Sequence, residues 1–394
     1  MVNGFSLAAV AEPKVATPKL NMLTGLFALI AVVGISAGLY AFYAGHHVMY
    51  NNTRAMPWGI LISSYAFFAI TSTGLCLLAA ISHLFGGNKM APIANRVVWL
   101  SIITIIGAFT LIGVEIENPH RMLIYNILSP NLTSNIWWMG TLYGMAVGFL
   151  ILEFFLILTK NYKLAVILGV GGALAEVAAN TNLGAVFATL AGHPFWYGSQ
   201  LPVYFLCSAF MSGAAAAIMF THLAFKIRDR QIDETTMAGM KSAAKVLTLT
   251  LVLIIVATAW RFISFFVGGA EGGRVAAQAL ISGPLSFNFW VFEILIGLAI
   301  PLGLLLMTKL KSAPAMAFAG FLVLVGQLIS RYDLVIAGQL VPAYAGWDNL
   351  PTYFSYVPSV SELMVTAGGI GVVGACFLLG ERFFGRAFDD HGAH

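Results

Sequence analysis

Charge is what this sequence has least of. Asp, Glu, Lys and Arg make up 9% of its 394 residues, where soluble domains carry about 25%. A chain so poor in charge cannot clothe a water-facing surface, which excludes an ordinary soluble domain. Cysteine is almost missing as well. Cys76, Cys207 and Cys376 stand apart inside apolar stretches, with no CxxC pair and no Cys/His cluster. An iron–sulfur cluster or structural zinc held by this chain alone is therefore excluded. The net charge is +4, and no run of Lys and Arg forms a nucleic-acid surface.

What the chain has is apolar length. Hydrophobic residues reach 59% and the mean hydropathy is +0.88. Apolar windows fall at 22–44, 58–82, 97–116, 136–159, 164–188, 201–225, 246–268, 286–308, 314–336 and 361–380, each close to the about 20 residues that cross a bilayer. Backbone in lipid must bond within its own segment, so these are helices. The expected fold is an all-α integral membrane protein with ten transmembrane helices. The stretch Met1 to Pro18 is polar and lacks the apolar core of a signal peptide, so the first window is expected to stay as a membrane anchor.

Loop charge orients the spans. One side receives fifteen Lys and Arg, from Lys14 to Arg386; the other receives Arg54, Arg121, Arg261, Arg274 and Arg331. That asymmetry predicts both termini in the cytoplasm. The outer connections 117–135, 188–200, 269–285 and 337–360 are long and rich in Pro, Gly, Asn and aromatics. They form either a docking surface or simply variable loops.

Spans two to five also look like spans six to nine. "SNIWWMGTLYG" (134–144) opens the fourth and "SFNFWVFEILIG" (286–297) the eighth. "AEVAANTNLG" in the fifth answers "SRYDLVIAGQ" in the ninth, and spans two and six end on His83 and His222. Two pseudo-repeated four-helix bundles, with one flanking helix at each end of the sequence, follow from this pattern. The expected plan is a tail over 1–21, the first span and its loop over 22–56, a first bundle over 57–200 and a second over 201–360. The last span and a tail occupy 361–394.

Each charge inside a span costs about 2.5–3.5 kcal/mol to insert and is a functional candidate. At 1.5 Å per residue, Glu153 lies near the cytoplasmic end of span four, Glu176 near mid-membrane and Glu115 near the outer surface. The three rise like rungs through the first bundle. Glu176 has no basic residue within a turn, so it is protonated, hydrated or partnered across helices. In the second bundle Arg261, Glu293, Arg331 and Asp333 share the outer half. They are either a structural ion-pair network or part of a proton route.

The densest polar cluster closes span three: "VEIENPHRMLIYNILSPN" (114–131). Pro119 is expected to end the helix. Glu115 and Glu117, two apart, face different ways, one toward a cavity and the other toward His120 or Arg121. Trp137, Trp138 and Tyr143 follow at the head of span four. Such aromatics form an interfacial belt or, beside carboxylates and a histidine, a pocket for a flat amphipathic ring such as a quinone.

Pro57-Trp58-Gly59, "SNIWWMG", His193-Pro194 with Trp196, Trp260-Arg261, "FWVFE" ending at Glu293, Arg331-Tyr332 and Glu362 together resemble the NrfD/PsrC family in its ten-helix branch. That branch is similar to membrane subunits of menaquinone reductase, hydrogenase and alternative complex III assemblies. The resemblance spans nearly the whole sequence. It implies a bacterial cytoplasmic membrane subunit of a respiratory oxidoreductase that exchanges electrons between menaquinone, or another quinone, and an extracytoplasmic ferredoxin-like iron–sulfur subunit. Further catalytic or multiheme cytochrome subunits are implied beside it, and no heme or iron–sulfur cluster in the chain itself. By the family pattern Tyr65 is the polar residue early in span two, where relatives often carry histidine or aspartate.

The resulting site expectation is Tyr65, Trp138 and Tyr143 on the quinone, with Glu115, Glu117, His120 and Arg121 binding it or supplying protons. Glu153, Glu176, Arg261, Glu293, Arg331 and Asp333 are the proton path. Two other classes compete. A secondary transporter also has duplicated bundles and buried charge, but its site belongs near the midplane, whereas the densest charge here lies outside it. A cytochrome b-type subunit would hold heme between His83 and His222, at equivalent helix ends.

Overall fold

A computed structural model describes residues 17–84, 89–342 and 349–389, and every regular element among them is helical. In chain order these are α1 (Pro18–Ala44), the single turn α2 (His46–Met49), α3 (Ile60–Leu84), α4 (Ala91–Glu115), the short α5 (Pro119–Leu128), α6 (Asn135–Leu158) and α7 (Tyr162–Ala188). There follow α8 (Gln200–Ile227), α9 (Glu234–Gly268), the short α10 (Glu271–Ile281), α11 (Asn288–Thr308), α12 (Ala313–Leu340), α13 (Val360–Phe383) and the terminal turn α14 (Gly385–Asp389). Ten of them are long and apolar enough to cross a membrane: α1, α3, α4, α6, α7, α8, α9, α11, α12 and α13. The protein is a multi-pass integral membrane protein, with its spans where the hydropathy windows predict them.

The differences lie at the ends. Helix α9 begins at Glu234, well before its apolar window, because Asp233 caps it by accepting from the Thr236 amide at 2.9 Å. Burial pulls the Asp233 carboxyl upward, yet hydrogen bonds from Thr235 and Thr236 hold it well below the usual carboxylate range. Hydropathy marks the lipid-crossing part of a helix, not its polar first turns. The third span ends ahead of Pro119 as expected, and Pro119 in turn starts a further helix. Helix α4 stops at Glu115, and Pro119 is the first residue of α5, where a missing amide hydrogen costs nothing. In α11 the stretch Asn288–Ala299 takes the wider π turn, a form that gathers at functional sites.

Polar networks close both ends of the molecule. At the basic end, buried Arg96 donates to Glu381 (2.7 Å) and Asp389 (3.3 Å). Arg228 pairs with the same two carboxylates and Arg230 with Asp389. Phe225 and Phe388 cover the Arg96 guanidinium. At the opposite end Glu362 accepts from the Asn51 amide (3.1 Å) and the Tyr356 hydroxyl (2.5 Å), and completes a capping box with Ser359. Burial first, then the bond to Glu362, pushes the Tyr356 phenol above its usual range.

Between these ends α3, α4, α6 and α7 pack together, and so do α8, α9, α11 and α12; α3 lies along α8. That crossing is close because Gly74 and Gly213 meet there, and a Cβ on Gly74 would overlap the Ala209 carbonyl. Helix α1 rests mainly on α13, so the first and last spans are neighbours.

Arg96→Ala removes one of the two arginines shared by buried Glu381 and half-buried Asp389, leaving Arg228 to pair with both. The expected loss is about 1.5–3 kcal/mol, read as a lowered unfolding midpoint of the detergent-solubilised protein; an unchanged midpoint would make the network ornamental.

Candidate functional site

A cavity of about 190 Å³ lies between the Glu115 end of α4 and the neighbouring ends of α3, α6 and α7. Ile62, Tyr65 and Ala66 come from one face of α3, Ile136 and Met139 from α6, and Leu183, Val186 and Phe187 from α7. These spacings of three and four put each set on a single helix face. Trp58 closes the cavity from the segment just before α3, Met122 borders it from α5, and Glu115 reaches it from the last residue of α4. Of the expected ring-binding residues, Tyr65 and Glu115 share this cavity. Tyr143 is buried close behind it, within electrostatic reach of Tyr65.

The other expected residues stand elsewhere. Glu117, His120 and Arg121 are exposed on the α4–α5 connection and the outer side of α5, and no ion pair joins them among the described residues. Trp138 turns outward and donates its indole N–H to the Leu132 carbonyl at 2.9 Å, while Trp137 donates to Asn126 at 2.8 Å. These two tryptophans brace the connection, as belt residues do.

A polar line leads from the cavity into the membrane interior. Thr73 lies eight residues beyond Tyr65 on the same face of α3 and donates to Glu176 at 2.6 Å. Ser72, itself bonded to Ser101, donates to the other Glu176 oxygen at 3.2 Å. Glu176 is fully buried, with 0% of its surface exposed, so two hydroxyls do for it what no lipid can. Cys76, one turn further along α3, lies within electrostatic reach of both Glu176 and Glu153. Glu153 is buried against Gly169. The expected rungs Glu115, Glu176 and Glu153 thus follow one another along α3. Thr73, Ser72 and Cys76 are uncharged and inconspicuous in an apolar span, so none is singled out by sequence; the spacing from Tyr65 is the signal that points to Thr73.

Arg261, Glu293 and Asp333 line a narrow cavity of about 20 Å³ with Tyr204, Thr258 and Ser330. Arg331 is buried beside it. Direct pairing of the two arginines with the two carboxylates is not what is found. Arg331 donates to Gln327 (3.0 Å) and lies over Phe205, Arg261 donates to the Phe195 carbonyl (3.2 Å), and Asp333 accepts from Asn288 (3.1 Å). Among the described residues no ion pair within 4.0 Å links the four.

Trp58 ties the first cavity to α12. Its amide donates to Gln339 (3.0 Å), its carbonyl accepts from Gln339 (2.9 Å), and its ring stacks on Trp196. Trp196 donates to the Leu334 carbonyl and His193 bonds the Gly338 carbonyl, both at 2.8 Å. Tyr50 donates to the Val114 carbonyl beside Glu115. Its phenol is raised above the usual range by burial and then by Glu115 and Glu362. Among the described residues no group of three or more His, Cys, Asp or Glu could hold a metal. His222 is half-buried near the end of α8, and the side chain of its expected heme partner, His83, lies outside the described residues.

Residues 48–343 match the family described as "Polysulphide reductase, NrfD". The protein belongs to the NrfD/PsrC family. It is 25% identical to the Hdr-like menaquinol oxidoreductase integral membrane subunit of Archaeoglobus fulgidus, over 91% of this sequence and 93% of that protein. It is 24% identical to a selenate reductase subunit of Mesobacillus selenatarsenatis, over 88% and 90% respectively. A polysulfide reductase polypeptide of Wolinella succinogenes matches at 23%, over 73% of this sequence and 95% of its own length. The cavity and the polar line both fall within the region matched to the NrfD family.

The Trp196 indole fills the space a side chain at Gly338 would need. Gly338→Val should therefore dislodge Trp196 and, through it, Trp58. The expected result is quenched or shifted tryptophan emission together with a lower unfolding midpoint; an unaltered spectrum would show the contact to be slack.

Proposed function

We propose that this protein is the quinone-interacting membrane subunit of a respiratory oxidoreductase complex, seated in a bacterial cytoplasmic membrane with both termini in the cytoplasm. It exchanges electrons between menaquinone and an extracytoplasmic iron–sulfur subunit docked over the cavity end, with further catalytic or cytochrome subunits beyond. The names of its relatives, as parts of menaquinol oxidoreductase, selenate reductase and polysulfide reductase, support a redox complex. The fifteen-to-five split of Lys and Arg supports the orientation. Residues 57–200 carry the site in this reading, and 201–360 are its diverged repeat.

The observation that carries the proposal is the cavity of Trp58, Tyr65, Glu115 and Phe187. Its walls are apolar and aromatic, with two polar groups at defined positions, which is how small-molecule sites are built. About 190 Å³ suits a ring-sized headgroup whose tail stays outside. A bound quinone supplies two-electron chemistry coupled to two protons. The protein's part is to hold the ring against an aromatic wall made by Trp58 and Phe187, which pack edge-to-face at 5.3 Å, and to offer the Tyr65 hydroxyl and the Glu115 carboxyl as hydrogen-bonding and proton-exchanging groups. Glu176 and Glu153 carry protons between this cavity and the cytoplasmic side by way of Thr73, Cys76 and Tyr143. Arg261, Glu293 and Asp333, with Arg331 beside them, form a second polar chamber that we assign to the same proton traffic.

Tyr65→Phe and Glu115→Gln each remove a proton-exchanging group without changing shape. Turnover of the intact complex with menaquinol should fall about 10²-fold while the complex still assembles; full turnover in both variants would rule the cavity out. Glu176→Gln tests the route separately. Full turnover with undiminished membrane-potential generation by that variant in liposomes would take Glu176 off the path.

A further inference from the structure

Helix α5 has its apolar residues in an unusual place. Pro119, Met122 and Asn126 are its partly buried side, while Leu123 (73%), Ile124 (50%), Ile127 (79%) and Leu128 (73%) stand exposed. The depth of the helix is set by what it touches. Asn126 donates to Thr141 at 3.0 Å, Trp137 donates to the Asn126 carbonyl, and Met122 and Asn126 both lie beside Gly140. Thr141 is six residues into a membrane-spanning helix, about 9 Å along its axis. Helix α5 therefore runs beside the first two turns of α6 and not above them. At that depth four aliphatic side chains facing outward meet the lipid boundary, with His120 and Arg121 at the α5 start able to reach the headgroups.

The same helix borders the cavity. Met122 is the α5 residue that lines it, between Ile116 at the end of α4 and Ile136 at the start of α6. We propose that α5 is an interfacial helix embedded in the lipid boundary, forming the threshold of a lateral opening between α4 and α6 through which a lipid-borne ligand reaches the cavity. The partner of its outward face is the bilayer, not another protein. The identity of the ligand as a tailed quinone rests on the function proposed above, whereas the embedding of α5 does not.

The test uses the whole complex in phosphatidylcholine liposomes. Ile127→Cys, in a background carrying Cys207→Ser and Cys376→Ser, is labelled with a small fluorophore. Quenching by lipids spin-labelled high on the acyl chain, with protection from aqueous iodide, is the expected result. Quenching mainly by iodide, or by neither agent because a protein covers the helix, would overturn the proposal. In a second arm, Leu123→Asp combined with Ile127→Asp should raise KM for long-tailed menaquinol at least tenfold and leave kcat/KM for a tail-less naphthoquinol unchanged. Equal losses with both substrates would remove the access role. Absence of quinol-dependent turnover in the unsubstituted complex would sink the quinone reading alone, since quenching reports on α5 directly.

Discussion

Hydrocarbon offers a polar group no partner, and the arrangement of this protein follows from that single constraint. Backbone groups meet it by forming helices. Side chains meet it in three ways: they retreat to the two ends, they bond to hydroxyls inside, or they line a cavity. The Arg96–Glu381–Asp389 cluster and the Glu362–Tyr356 cluster are the first solution. Glu176 between Ser72 and Thr73 is the second. Glu115 and Tyr65 at the cavity are the third, and this is where the proposed chemistry would have room.

The cavity is not held by its own four helices alone. Trp58 is both one of its walls and one end of a clamp whose other end is α12, through Gln339, Trp196, Leu334 and His193 with Gly338. Aromatic stacking and buried hydrogen bonds act together here, so a shift of α12 cannot leave Trp58 in place. The two helix sets are thereby mechanically linked at the end where electrons are proposed to cross. The line from Tyr65 through Thr73 and Glu176 toward Glu153 runs the other way, along α3, and joins the cavity to the opposite end of the membrane.

Much of this was legible along the sequence. All ten spans could be read from apolar length, because the bilayer imposes a local requirement that each segment satisfies by itself. The rungs Glu115, Glu176 and Glu153 were legible too, since a carboxyl inside a span is conspicuous and its depth follows from helical rise. Other features escaped. The early start of α9 depends on Asp233 as a cap, and Pro119 reads equally as the end of one helix or the start of the next. Glu117, His120 and Arg121, neighbours of Glu115, and Trp138 at the head of the next span look like site residues in sequence, yet none of them lines the cavity. Closeness along a loop says little about which way a side chain faces.

By itself the sequence determined the class of solvent, the number of spans and which ones carry charge, because each of these is settled within about twenty consecutive residues. Which groups meet was decided only by tertiary packing. Tyr65 and Glu115 come to one cavity from two helices, Trp58 reaches Trp196 and Gln339 across the molecule, and Arg261, Glu293 and Asp333 line a chamber, with Arg331 beside it, without forming the pairs their charges suggest. Those contacts join residues far apart in sequence, and their geometry depends on helix rotation and crossing, which no local pattern encodes.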